Sequence, residues 1–117
     1  RITANGQNAN LELGAGETVN VEVELDPGVG HSEVCDWWVA AYSPGLGWFS
    51  FVLPDGWKAG TEPCIQAQPL GLFDPVPIVR APLPSGSYTF YFALDDVNNG
   101  QVDGNIWLDF VSVNISD

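Results

Sequence analysis

Apolar and polar residues alternate without a break from Thr18 to Asp26. Val19, Val21, Val23 and Leu25 fall on one side of an extended chain, and Asn20, Glu22 and Glu24 on the other. Successive side chains of a strand point to opposite faces, so this stretch predicts a half-buried strand. Asp26-Pro27-Gly28 ends it as a turn. Cys35 to Tyr42 and Leu46 to Leu53 read as the next two strands, joined as a hairpin by the Ser43-Pro44-Gly45 corner. Residues 54 to 75 are rich in proline and glycine and read as loop with at most one short strand. Val76 to Ala81 is a short strand bounded by Pro75, Pro77 and Pro82. Proline cannot donate to a ladder, which places this strand at a sheet edge. Ser87 to Leu94 and Ile106 to Ile115 are the longest apolar strands, and Asn10 to Leu13 is a short one before Gly14-Ala15-Gly16. Residues 1–10 are the least anchored, either a first strand or an arm that pairs with something else.

Helical periodicity is absent. Short strands separated by turn signals predict an all-β sandwich, and 117 residues with 45% hydrophobic content suffice for one domain with a real core, spanning 1–117. No apolar run approaches the ~20 residues of a membrane helix, so no membrane insertion is expected. The chain begins at Arg1 without a signal-peptide pattern, as a processed chain or a piece of a longer one would.

Charge narrows the partners. Lys and Arg number 3 against 15 Asp and Glu, a formal net charge of −12. Phosphate recognition needs clustered Lys and Arg, so nucleic acid and anionic membranes are excluded as partners. Divalent cations are attracted instead. Cys35 and Cys64 have 28 residues between them, with no Cys-x-x-Cys pair. The lone His31 cannot complete a zinc site with two thiolates. A disulfide is the simplest reading, with two free buried thiols as the alternative, and it implies an oxidising compartment.

The stretch from Leu94 to Asn105 is the richest in chemistry. Acidic and amide oxygens gather around a glycine turn between two strands, as they do where a chain wraps calcium. Counted from Asp95, the first, fifth and ninth positions are Asp95, Asn99 and Asp103, with Gly100 sixth. Val97 holds the third position without a side-chain oxygen, and Gln101, seventh, offers its backbone carbonyl. Asp109 shares the inward phase of Val111, Val113 and Ile115. An inward carboxylate is costly unless it is paired or metal-bound. The candidate calcium ligands are therefore Asp95, Val97, Asn99, Gln101, Asp103 and Asp109. The alternative is a hydrogen-bonded Asx turn with Asp109 solvated.

Five tryptophans are many for this length. Trp37 shares phase with Cys35, Val39 and Ala41, a core face, which leaves Trp38 and Tyr42 pointing outward with Asp36. Trp38, Tyr42, Trp48 and Trp57 are the candidate binding surface, a stacking platform for a glycan or a protein contact. Cover of that surface by the 54–75 loop with Trp57 is the competing arrangement. Asn114-Ile115-Ser116 fits the N-glycosylation triplet on Asn114. Catalysis finds little support. A Ser-His-Asp triad would need His31, in a turn-like Gly30-His31-Ser32 run, and no cleft-forming insertion accompanies the carboxylates. The chain is expected not to be an enzyme.

Several pieces resemble a small immunoglobulin-like module that recurs in secreted bacterial proteins: Ile2-Thr3-Ala4-Asn5-Gly6, Leu25-Asp26-Pro27-Gly28, Asp36-Trp37-Trp38-Val39, Pro84 to Phe92, the Asp95 loop and Asp109 to Ile115. The sequence departs from that pattern at Val97. The resemblance implies an immunoglobulin-like sandwich of about seven to nine strands and an extracellular location, and no reaction. In such a sandwich Trp37 would pack on the Cys35–Cys64 bridge, and Tyr88 would pin a corner by bonding to backbone. The expected role is a structural module of a surface assembly, a filament or pilus-like subunit or an adhesive domain. It would self-associate or contact neighbouring domains, with residues 1–10 adding to a neighbour's sheet edge. The alternative is a carbohydrate-binding module.

Overall fold

The computed structural model describes residues 1–25, 34–52, 56–69, 73–95 and 106–116, with the side chains of 25, 34, 35, 65–69, 73–75, 95, 106 and 107 left aside. Ten strands are described: β1 (Ile2–Ala4), β2 (Leu11–Leu13), β3 (Thr18–Leu25), β4 (Val34–Ser43), β5 (Gly47–Val52), β6 (Gly56–Ala59), β7 (Ile65–Pro69), β8 (Phe73–Pro82), β9 (Gly86–Asp95) and β10 (Ile106–Ile115). The fold is all-β, and no helix is described. One sheet has the order β1-β3-β8. The other runs β2-β10-β9-β4-β5-β6, with β7 also paired to β4. All pairings are antiparallel except that of β2 with β10.

Alternation builds the core between the two sheets. Val19, Val21 and Val23 of β3 face Phe90, Phe92 and Leu94 of β9 and Val111, Val113 and Ile115 of β10, all buried. Val39 and Ala41 of β4 join them, and Trp37 packs on Phe92 with ring centroids 6.1 Å apart. Burying such side chains contributes about 1.5–3 kcal/mol each, the main force holding the layers together.

Residues 1–10 contain a first strand of the chain's own sheet. Ile2, Thr3 and Ala4 pair with Val23, Glu22 and Val21, and Ile2 and Ala4 are 0% exposed. Asn5-Gly6 turns the chain back, with φ of 48° and 81° and paired hydrogen bonds between Ala4 and Gln7. A two-residue turn with both φ positive suits Asn-Gly, since asparagine tolerates the left-handed region and glycine has no Cβ to clash.

The 54–75 stretch holds more strand than its composition predicts. β6 folds back on β5 as a hairpin and β7 pairs with the distant β4, so the ladder partners decide the structure here. β8 begins at Phe73, before Val76, and runs through Pro75 and Pro77. Among the described residues it pairs only with β3, so it is an edge strand there, as the prolines require. Its register shifts between Val21 and Glu22, opposite Val79 and Pro77, leaving Ile78 as the extra residue of a bulge. The larger sheet is wider than its partner. Trp57 of β6 bridges the gap on that side, its Nε1–H donating to the Ile78 carbonyl at 2.9 Å. Beside it an apolar cavity of about 420 Å³ is lined by Phe49, Trp57, Ile78, Leu83 and Phe90 among others.

Candidate binding face

The outer side of the larger sheet, away from the core, carries a continuous row of aromatic rings. Strand register places them. Tyr42 on β4 is directly opposite Trp48 on β5, and Tyr91 on β9 is opposite Phe110 on β10. Their ring centroids lie 4.9 Å apart for Tyr42–Trp48, 5.5 Å for Trp48–Tyr91 and 6.1 Å for Tyr91–Phe110. Trp48 and Tyr91 come together because Ala40, the residue of β4 that faces Tyr91, has only a methyl group there. Trp48 is 43% exposed and Phe110 53%. Leu108, two positions along β10, extends the apolar surface and is exposed as well. Contiguous exposed apolar surface is where contacts with other molecules tend to concentrate.

Polar side chains continue the same side of the sheet. Thr89 is the β9 partner of Tyr42 and Ser112 the β10 partner of Thr89, so Trp48, Tyr42, Thr89 and Ser112 form one cross-strand row. The Thr89 and Ser112 hydroxyls are 3.4 Å apart. In the next row, the Ser87 hydroxyl donates to Asn114 Oδ1, and Asn114 Nδ2 donates to Glu12 Oε1 at 3.3 Å. Glu12, Ser87, Thr89, Ser112 and Asn114 line a trough of about 260 Å³.

Two of the four tryptophan and tyrosine candidates, Tyr42 and Trp48, stand in this row. The other two lie outside it. Trp38 points to the outer side, as its phase predicts, but is 8% exposed. The chain from Gly60 to Glu62 passes over that side: the Ser50 hydroxyl donates to the Gly60 carbonyl at 2.8 Å and accepts the Glu62 N–H at 2.9 Å. Ser50 is the β5 partner of Ala40, two residues from Trp38. Cover by the 54–75 stretch therefore prevails at Trp38. Its Nε1 has no hydrogen-bond partner among the described residues. Trp57 is half-buried against the core, its ring at 5.4 Å from Phe51 and 6.4 Å from Phe90. It closes the sandwich on that side and stands apart from the Tyr42–Trp48 row. Tyr91 and Phe110 were not singled out in the sequence, although a signal existed. Each is out of step with an inward set, Phe90 and Phe92 in one case and Val111 and Val113 in the other.

The calcium candidates are only partly visible. Asn99, Gln101, Asp103 and Val97 lie outside the described residues, as does the Asp95 side chain. Asp95 ends β9, and its backbone partners are Asp36 on β4 and Ile106 on β10. Asp36, unremarked as a ligand from sequence, is 0% exposed at this same end. Asp109 faces inward as its phase predicts. Its Oδ2 accepts hydrogen bonds from the Ile2 N–H and the Asn8 side-chain amide, both at 3.0 Å. Those donors satisfy the inward carboxylate with groups of the chain itself. Among the described residues no group of three or more His, Cys, Asp and Glu is placed to hold a metal.

Cys64 is buried, and its backbone N–H donates to the Trp37 carbonyl, two residues along β4 from Cys35. The Cys35 side chain and His31 lie outside the described residues. Tyr88 donates its hydroxyl to the Pro84 carbonyl at 2.7 Å, the predicted pin, and burial raises its pKa above the usual 10.0. Asn114 is exposed near the end of β10, its amide engaged by Ser87 and Glu12. No protein-family model, no curated protein and no solved structure matches the chain.

Proposed function

We propose that this chain is an extracellular immunoglobulin-like module that binds a glycan on the outer side of its larger sheet. The strand order supports the immunoglobulin-like assignment. Three strands face a wider sheet, the β2 pairing with β10 is parallel, and a tyrosine near the start of β9 bonds back to backbone at the corner. The single observation that carries the binding role is the Tyr42–Trp48–Tyr91–Phe110 row. Sugar rings have apolar C–H faces that stack on aromatic rings, and their hydroxyls stay available to polar neighbours. A row in which Trp48 and Phe110 are exposed and Tyr42 and Tyr91 half-buried offers this contact without a deep pocket or a reaction. Binding of the wild-type chain to a glycan array, and its loss in Trp48→Ala, tests the reading. An array on which no sugar is retained overturns it.

A second reading, assembly into a filament or adhesive surface array, has its own observation. β1 is three residues long, yet Ile2 and Ala4 are fully buried. The same strand of a second copy would make identical contacts, which is the low-cost route to association by exchange. Electron microscopy of the purified protein tests it, and monodisperse monomers with and without calcium would remove it. In both readings calcium at residues 95–109 and a Cys35–Cys64 disulfide brace the module.

A further inference from the structure

We infer that the ligand is a neutral glycan whose hydroxyls are read by the trough formed by Glu12, Ser87, Thr89, Ser112 and Asn114, beside the aromatic row. This rests on the glycan-binding reading and adds the class of sugar and the residues that select it. Three observations combine. First, row and trough are contiguous: Tyr42 and Thr89 are backbone partners, so a sugar stacked at Tyr42 has the Thr89 and Ser112 hydroxyls at its edge. Second, the trough has hydrogen-bonding capacity to spare. A hydroxyl offers one donor and two acceptor sites, and the Thr89–Ser112 contact at 3.4 Å uses little of that. Asn114 and Glu12 meet at 3.3 Å and likewise retain free acceptor positions. Third, among the described residues the one charged side chain lining the trough is the Glu12 carboxylate, on a chain of net charge −12. A uronate or sulfated sugar would meet like charge there with no cation to offset it, whereas the hydroxyls of a neutral sugar donate to Glu12.

The division of labour follows from the chemistry. Stacking on rings tolerates many sugars, because each presents an apolar face. Hydrogen bonds from placed hydroxyl and amide groups discriminate, since a mismatched sugar leaves polar groups unpaired. The aromatic row therefore sets affinity, and the trough sets the order of preference among sugars.

The experiment titrates wild type, Trp48→Ala, Ser112→Ala and Asn114→Ala with cellohexaose, mannohexaose, xylohexaose, laminarihexaose and oligogalacturonate. Melting temperatures confirm that each variant is folded. The expected result is binding of at least one neutral hexaose and none of oligogalacturonate. Trp48→Ala should weaken every bound sugar by roughly tenfold or more, and the trough variants should change the ranking of the neutral sugars. Equal or tighter binding of oligogalacturonate overturns the neutral assignment. An unchanged ranking in both trough variants, with Trp48→Ala still weakening binding, overturns the role of the trough and leaves the aromatic platform standing. Binding of no sugar removes the platform and the trough together.

Discussion

The Ile2 N–H donates to Asp109 Oδ2 at 3.0 Å, joining the first strand of one sheet to the last strand of the other. Asp109 shares the inward phase of Val111 and Val113, where a bare carboxylate would be costly. The Asn8 amide, which also donates to the Ile2 carbonyl at 2.6 Å, completes the anchor. Asp109→Ala leaves the buried Ile2 N–H without its acceptor, whereas the exposed Asn8 amide can turn to water. The expected cost is about 1–3 kcal/mol, the desolvation penalty of a buried unsatisfied donor. Asp109→Asn keeps one acceptor oxygen and should cost less. Urea unfolding of the three proteins checks the order, and an Ala variant as stable as wild type would show that the anchor carries nothing.

How much of this was legible in the sequence depends on which physical signal each part carries. The strands with strict alternation, such as Val19-Val21-Val23, and the inward phase of Asp109 follow from a period of two, which any extended chain must obey. β6 and β7 carry no such period. β6 pairs with β5, the strand just before it, and β7 with β4, far back in the chain, so the pairing and not any period of their own shows them. The candidate site divides in the same way. Phase correctly put Trp38 and Tyr42 on the outer side, and the same parity would have found Tyr91 and Phe110. Phase says which side a residue faces, not what lies over it. Trp38 is closed off on the side where the Gly60–Glu62 stretch crosses over Ser50, and no local pattern announces a crossing.

Tyr88 should give a measurable alkaline limit to stability. Its hydroxyl bonds the Pro84 carbonyl at 2.7 Å, and burial raises its pKa in the folded protein above 10.0. Folding therefore favours the protonated phenol. The Tyr88 contribution is fully present below about pH 10, the unfolded value, and is lost as pH rises through the higher folded value. Tyr88→Phe should cost about 0.5–1.5 kcal/mol at neutral pH, the net value of one hydrogen bond. The gap between wild type and variant should close at strongly alkaline pH. A gap that stays constant from neutral pH upward would contradict the assignment.

The two proposed braces give independent signatures. A Cys35–Cys64 bridge closes a loop that stabilises by about 3–4 kcal/mol in the chain-entropy model. The unfolded, unreduced protein should then take up no thiol reagent, and the reduced protein should take up two equivalents, one for each cysteine in the chain. Uptake of reagent without reduction would show free thiols. Calcium bound at residues 95–109 should raise the melting temperature, and at 100 times the dissociation constant it adds about 2.7 kcal/mol. Asp103→Ala should abolish that response to calcium and to its chelation. Melting that ignores both would count against the ion.

Trp48 and Trp57 should separate binding from stability, because they occupy opposite environments. The Trp48 ring is 43% exposed, between Tyr42 and Tyr91 on the outer side of the sheet. Its removal leaves no interior cavity, so Trp48→Ala should change stability by less than about 1 kcal/mol while weakening glycan binding. Trp57 packs against Phe51 and Phe90 and donates to the Ile78 carbonyl, across the gap between the two sheets. Trp57→Ala enlarges the apolar cavity already there and strands that carbonyl. It should cost up to about 3–5 kcal/mol, the range for a large aromatic lost from a core. Any glycan affinity that survives in the folded fraction should match wild type. Denaturant unfolding and sugar titration on both variants check the pairing. If Trp48→Ala unfolds the domain, or if Trp57→Ala leaves stability intact and removes binding, the roles given to the two rings are reversed.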